Sequence, residues 1–261
     1  MTTRRPITVL IVNPNSSSSM TEGLEPILAD LIHPHLDLRY LTGPKASPPS
    51  VNDLTTSILS AAHTFPTVLA ILDSKGAGVR DAILVACFSD HPLVGMLREH
   101  TDNLPVISIF EASIMHALAL GQPFGIVTTG KYWEGALTEG VKRIFGSGDL
   151  GGAFVGVETT GMTALELHDR PPDVVAMGIS AAASRIVARG ARTIIMGCAG
   201  MSGMEKAVRE GCGGEGKSGS HSKGSDDGRQ IEPVGGTNGL RSNEPPRMPN
   251  KSLESDRYLF I

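Results

Sequence analysis

Two stretches decide the fold: Asp81–Asp90, DAILVACFSD, and Ala191–Met201, ARTIIMGCAGM. Each is a short apolar run, then a small residue, then a cysteine, then a polar or glycine-rich turn into a helix. A continuous apolar run of this length reads as a strand buried on both faces, as in a parallel sheet. A second pair repeats the relation: Ile7–Ser17, ITVLIVNPNSS, lies over Phe124–Trp133, FGIVTTGKYW. The chain therefore reads as a duplicated α/β unit, with Cys87 and Cys198 at equivalent places in its two copies.

Working outward, the pattern predicts strands at Ile7–Val12, Leu36–Leu41, Ala82–Ala86 and Val106–Phe110. Helices are expected at Ser18–Ile32, Val51–His63, Pro92–His100 and Ala112–Leu120. The cycle restarts with strands Phe124–Thr128, Ala153–Val157 and Thr193–Met196, and helices Tyr132–Phe145, Asp173–Arg189 and Ser202–Glu210. The expected fold is α/β, with two pseudo-symmetric parallel-sheet halves, helical crossovers and an active-site cleft between the halves. The first half is drawn at 1–120 and the second at 121–210. After Cys87 and its helix the first half goes on to a further strand and helix. The second half instead enters residues 211–261, rich in Gly, Ser and Pro and without periodicity. This tail reads as disordered. It is either an extension or an aberrant end in place of the missing strand and helix. The second reading is favoured, because a face built to bury that strand is otherwise left open.

With 261 residues, 40% hydrophobic and 19% charged, the chain can bury a sizeable core. A net charge of −4 gives no basic footprint for nucleic acid. No stretch reads as a membrane span, and the apolar run after Arg4 and Arg5 is too short for a signal peptide. A cytoplasmic location is expected. Three cysteines, an odd and sparse count, argue for free thiols over a disulfide framework.

A lone cysteine at a strand end is most often a small core residue. Two at matching positions of a duplicated unit face each other across one cleft, beyond the carboxyl ends of parallel strands where ligands bind. Inverting a carbon centre needs a base on one face and an acid on the other, and a thiolate and a thiol can exchange those roles. Helix-start N–H groups near both cysteines are expected to favour the thiolate and to hold developing negative charge. This chemistry asks for no cofactor and no metal.

Val12–Ser17 (VNPNSS), Ala86–Asp90 (ACFSD), Val127–Gly130 (VTTG) and Gly197–Met201 (GCAGM) together resemble the hydantoin racemase branch of the aspartate/glutamate/hydantoin racemase superfamily, over about residues 7–210. The resemblance implies cofactor-independent racemisation of 5-substituted hydantoins, allantoin or amino-acid-derived compounds. It assigns Cys87 and Cys198 as the two acid/base residues and puts Asn15, Ser16, Thr128 and Thr129 around a small-molecule substrate. It also suggests a homo-oligomer. Three other readings remain: a superfamily decarboxylase, a cis–trans isomerase, and a truncated, inactive form that binds without turnover.

Other signals carry less. Gly211–Ser218 (GCGGEGKS) satisfies the P-loop spacing but follows a helix, where a P-loop follows a strand. Cys212 has no counterpart in the first half. The histidines lack metal-ligand spacing. Glu111 could support the Cys87 strand, Asp90 reads as a turn residue, and Tyr132 and Trp133 pack at a helix start or cover the site.

Overall fold

The computed structural model describes residues 5–29, 34–73, 81–101, 103–146 and 151–213. The first half holds β1 (Ile7–Asn13), α1 (Ser18–Glu22), α2 (Leu24–Leu28), β2 (Leu36–Thr42), α3 (Leu54–Asp73), β3 (Ala82–Val85), α4 (Pro92–His100), β4 (Val106–Ser108) and α5 (Ile109–Ala119). The second holds β5 (Phe124–Thr128), α6 (Tyr132–Phe145), β6 (Phe154–Thr159), α7 (Glu166–Asp169), α8 (Pro172–Ala188), β7 (Thr193–Met196) and α9 (Glu205–Gly213).

All strand pairings are parallel, in two sheets of order β2-β1-β3-β4 and β6-β5-β7. The orders superpose as the repeat requires: β1 on β5, β2 on β6, β3 on β7. Hydrogen bonds at the strand ends repeat as well. Ala86 N–H donates to the Val12 carbonyl at 2.8 Å, and Gly197 N–H to the Val127 carbonyl at 2.7 Å. On the other side of each central strand, Gly43 donates to Asn13 and Thr160 to Thr128. Each cysteine thus follows the last residue tied to its central strand.

The cores are built from the predicted apolar runs. Leu10, Val12, Ile83 and Val85 pack with Ala61 and Val68 of α3 and Leu93, Val94 and Leu97 of α4. Val127, Ile194 and Met196 pack with Ile179, Ala182, Ala183 and Ile186 of α8 and Val208 of α9. A third cluster joins the halves: Phe88, Phe110 and Ile114 of the first meet Ile126, Trp133, Leu137 and Ile195 of the second.

Several elements depart from the sequence reading. The first helix breaks at Gly23 into two short pieces. The helix expected at Val51–His63 begins at Leu54 and runs through Pro66 to Asp73, because its buried face (Ser57, Ser60, Ala61, Thr64, Val68) holds it to the sheet. At 20 residues and a mean hydropathy of 1.3, α3 is long and apolar enough to cross a membrane, contrary to the expectation of no such stretch. Here it packs in the first core, and Thr64 Oγ1 donates to the Pro14 carbonyl. β4 ends early because Ser108 and Glu111 form a capping box that starts α5. Glu111 also pairs with Arg98 at 2.8 Å, so it braces α4 against α5.

The last described helix continues through Gly213, past the tail boundary drawn at 211. A β-carbon at Gly211 would lie 2.2 Å from the Ser180 carbonyl oxygen, so glycine lets α9 close on α8. The first three residues of the P-loop-like stretch are therefore the end of a helix. The remainder of that stretch and of the tail lies outside the described residues.

His91 caps α4: Nδ1 accepts from Leu93 N–H, leaving Nε2 to donate to Ser60 Oγ at 2.9 Å. Burial pulls its pKa down to about 4, so it is held neutral. The unfolded chain, with an ordinary histidine near 6.5, binds the proton first as pH falls. Stability should therefore drop between pH 6.5 and 4, by roughly 3 kcal/mol at most, and stay flat above 6.5 on this account. Thermal melts across that range should show the slope in the wild type and a shallower one in His91→Asn, which retains a capping side chain.

Candidate active site

Cys87 and Cys198 line one chamber of about 50 Å³ at the carboxyl ends of β3 and β7. The first half contributes Asn13, Asn15, Met20, Leu24, Ser50, Val51, Ala86 and Phe88. The second contributes Thr129, Trp133, Ala164, Gly197, Ala199 and Gly200. No charged side chain is among these described lining residues.

The two strand ends meet by a steric fit. A β-carbon on Gly197 would lie 2.7 Å from Ile126 Cγ2, 2.9 Å from Thr128 Cβ and 3.1 Å from the Phe88 ring. Phe88, next to Cys87, reaches across to Gly197 of the second half and packs edge-on against Phe110 of its own, with ring centroids 5.3 Å apart. Thr128 Oγ1 donates to the Gly197 carbonyl at 2.6 Å, fixing the peptide that carries Cys198.

The sulfurs differ in their surroundings. Cys198 precedes a single 3₁₀ turn, Ala199–Met201, and the Gly200 and Met201 N–H groups donate to its sulfur, lowering its pKa. Burial outweighs them and leaves this thiol at about 11. Cys87 lies five residues before the first residue of α4, whose cap is His91, so it does not sit at that helix's N-terminus. Burial pushes it to about 12; contact with Ser89 Oγ at 3.4 Å lowers it, and the nearby Cys198 raises it. The expectation of thiolates favoured by helix starts is thus corrected: burial raises both thiols above the ordinary range, because desolvation of the charged form exceeds the hydrogen bonds.

On the first-half wall, Asn13 and Asn15 form one network. Asn13 Nδ2 donates to Asn15 Oδ1, the Ser17 carbonyl and Thr21 Oγ1. Asn15 Oδ1 also accepts from Ser17 N–H at 2.9 Å, which turns the Asn15 amide NH₂ toward Met20 Sδ at 3.2 Å. A thioether is a weak acceptor, so this donor is suited to a ligand oxygen.

Of the residues expected around a substrate, Asn15 and Thr129 line the chamber, and Ser16 and Thr128 do not. Ser16 N–H instead donates to the Pro48 carbonyl, locking the loop after β1. Trp133, read as packing at a helix start or covering the site, lines the chamber; Asn13, Ser50 and Met20 line it without any such reading, and the NPN run could have flagged Asn13. Asp90 pairs with Arg143 of α6 across the halves. Cys212 packs on the second core, away from the chamber. Among the described residues no cluster of three metal-binding side chains occurs.

Residues 9–216 match the profile of the Asp/Glu/hydantoin racemase family. The chain belongs to this family. It is a family of isomerases, and the chain is similar along most of its length to several members and relatives. An uncharacterised protein of Schizosaccharomyces pombe is 39% identical over 207 residues, covering 77% of this chain and 83% of that protein. A hydantoin racemase of Paenarthrobacter aurescens is 24% identical over 205 residues, covering 78% and 83%. The crystal structure of allantoin racemase from Pseudomonas fluorescens superposes with a TM-score of 0.66 at 26% identity, covering 79% of this chain and 83% of that one.

Two measurements test this geometry. Gly197→Ala should lower stability by about 1–3 kcal/mol in urea unfolding, the usual cost of overpacking. Alkylation by iodoacetamide, followed by mass spectrometry, should be slow at Cys87 and Cys198 at pH 7. It should keep rising with pH beyond 9, where an ordinary thiol levels off.

Proposed function

We propose that this chain is a cofactor-independent racemase of neutral cyclic ureides, 5-substituted hydantoins or allantoin, with Cys87 and Cys198 as the paired base and acid. One observation carries the reading: two thiols from equivalent strand ends line a single chamber with no charged side chain among its described lining residues. A free amino acid brings an ammonium and a carboxylate, and burying those charges without partners costs several kcal/mol each. A hydantoin brings amide-like donors and acceptors, which the Asn15 amide, Ser50 and Thr129 can meet. The hydantoin and allantoin racemases among its relatives agree with this choice.

One cysteine, as thiolate, removes the proton from C5 of the ring and becomes a thiol. The electron pair spreads into the adjacent C4 carbonyl as an enolate, and donors preset at that oxygen stabilise it as charge develops. The opposite thiol delivers its proton to the other face of C5 and becomes the thiolate. The enantiomer then leaves, and the pair stands ready for the reverse direction. A high thiol pKa serves this step, since it makes the thiolate a stronger base toward a weak carbon acid.

Polarimetry with a single enantiomer of a 5-substituted hydantoin should show rotation decaying to zero with no loss of compound. In deuterated water the inverted carbon should carry deuterium. Cys87→Ser and Cys198→Ser should each lower the rate by at least a hundredfold with the fold intact; full activity in either ends the two-thiol reading. Because burial raises both thiols, kcat/KM should climb with pH, near tenfold per unit, from pH 7 until the first thiol ionises.

A further inference from the structure

We infer that Trp133 is the specificity-determining partition of this site, setting the largest C5 substituent the enzyme accepts; this rests on the racemase reading above. The chamber holds only about 50 Å³, room for a few water molecules. A planar ring can lie between two thiols, but a substituent on its inverted carbon needs space beyond. Behind one wall is a cleft of about 230 Å³ between the halves. Trp133 is the one described residue that lines both spaces. Two further cavities, of about 380 and 660 Å³, share no described lining residue with the chamber.

The partition is held firmly. Trp133 stands in the first turn of α6, its N–H donating to the Gly130 carbonyl at 3.1 Å, four residues beyond the buried Thr129. Tyr132 packs edge-on against its ring at 5.1 Å, and only 7% of the residue is exposed. The cleft behind is lined by apolar Leu54, Pro92 and Leu137 and by polar Ser89 and the Asp90–Arg143 pair. That is a fitting pocket for an aromatic or branched group, and Trp133 is the residue it shares with the chamber. As it stands, the enzyme should favour short substituents; removing the indole should join the two spaces.

The test compares kcat/KM for 5-methylhydantoin and 5-benzylhydantoin in wild type, Trp133→Phe and Trp133→Ala. The benzyl-to-methyl ratio should rise at least tenfold in Trp133→Ala, with Trp133→Phe in between. An unchanged or lower ratio would overturn the inference. A readout without turnover accompanies it. Trp133 is the only tryptophan in the chain, so in Cys87→Ser/Cys198→Ser protein its emission reports on the chamber. Titration with (S)-5-methylhydantoin should change that emission saturably, and a flat titration counts against the partition. If the wild type racemises neither compound, the racemase reading fails and the inference falls with it; if it racemises them and the ratio does not move, the partition alone is overturned. If Trp133→Ala does not fold, the Trp133→Phe ratio stands in, and a shift under threefold overturns the inference.

Discussion

The site depends on how closely two strand ends can approach. Ala86 and Gly197 each tie a lateral strand to its central neighbour by one backbone hydrogen bond, and the next residue in each case is a cysteine. The second strand end then has to fit beneath Phe88, which crosses over from the first half. Only a residue without a β-carbon fits there, against Ile126, Thr128 and Phe88 at once. Close packing leaves no slack for a larger side chain. The chamber exists because the halves interlock at this point, and the third hydrophobic cluster is the interlock itself.

Closure has an electrostatic consequence. Removing water from around two thiols penalises their ions more than the local N–H donors help them, and both pKa values rise. The same lining, without a charged side chain among its described residues, would penalise a zwitterion. It favours a ligand that presents amide-like groups, while Asn13 and Asn15 satisfy each other and leave one NH₂ turned to a weak acceptor. A thiol that is hard to ionise gives a stronger base once ionised, so the chamber sets proton affinity and ligand charge by one physical effect.

Much of the architecture was legible because buried parallel strands write themselves as unbroken apolar runs. Phe124–Thr128, Thr193–Met196, Tyr132–Phe145 and Pro92–His100 fall where the pattern puts them. The misreadings have local causes. The helix expected at Val51–His63 runs on through Pro66, because burial of one face of α3 outweighs the single hydrogen bond that proline removes. Ser108 falls inside the expected strand Val106–Phe110 and Glu111 just after it; together they act as a reciprocal helix cap. Thr128 and Thr129 are adjacent in sequence, but neighbouring residues at a strand end point to opposite sides. One braces the Gly197 peptide and the other lines the chamber.

The sequence by itself determined the duplication, the order of strands and helices, and the equivalence of Cys87 and Cys198. These are one-dimensional facts, carried by apolar runs and by motifs repeated at matching places. Only the tertiary structure decided that Ser16 serves the loop while Asn13 faces the chamber, that both thiols are hard to ionise, and that Trp133 stands between two cavities. Orientation, desolvation and shared walls arise from residues far apart in the chain brought within contact distance. A string of residue types carries no record of the space left between them.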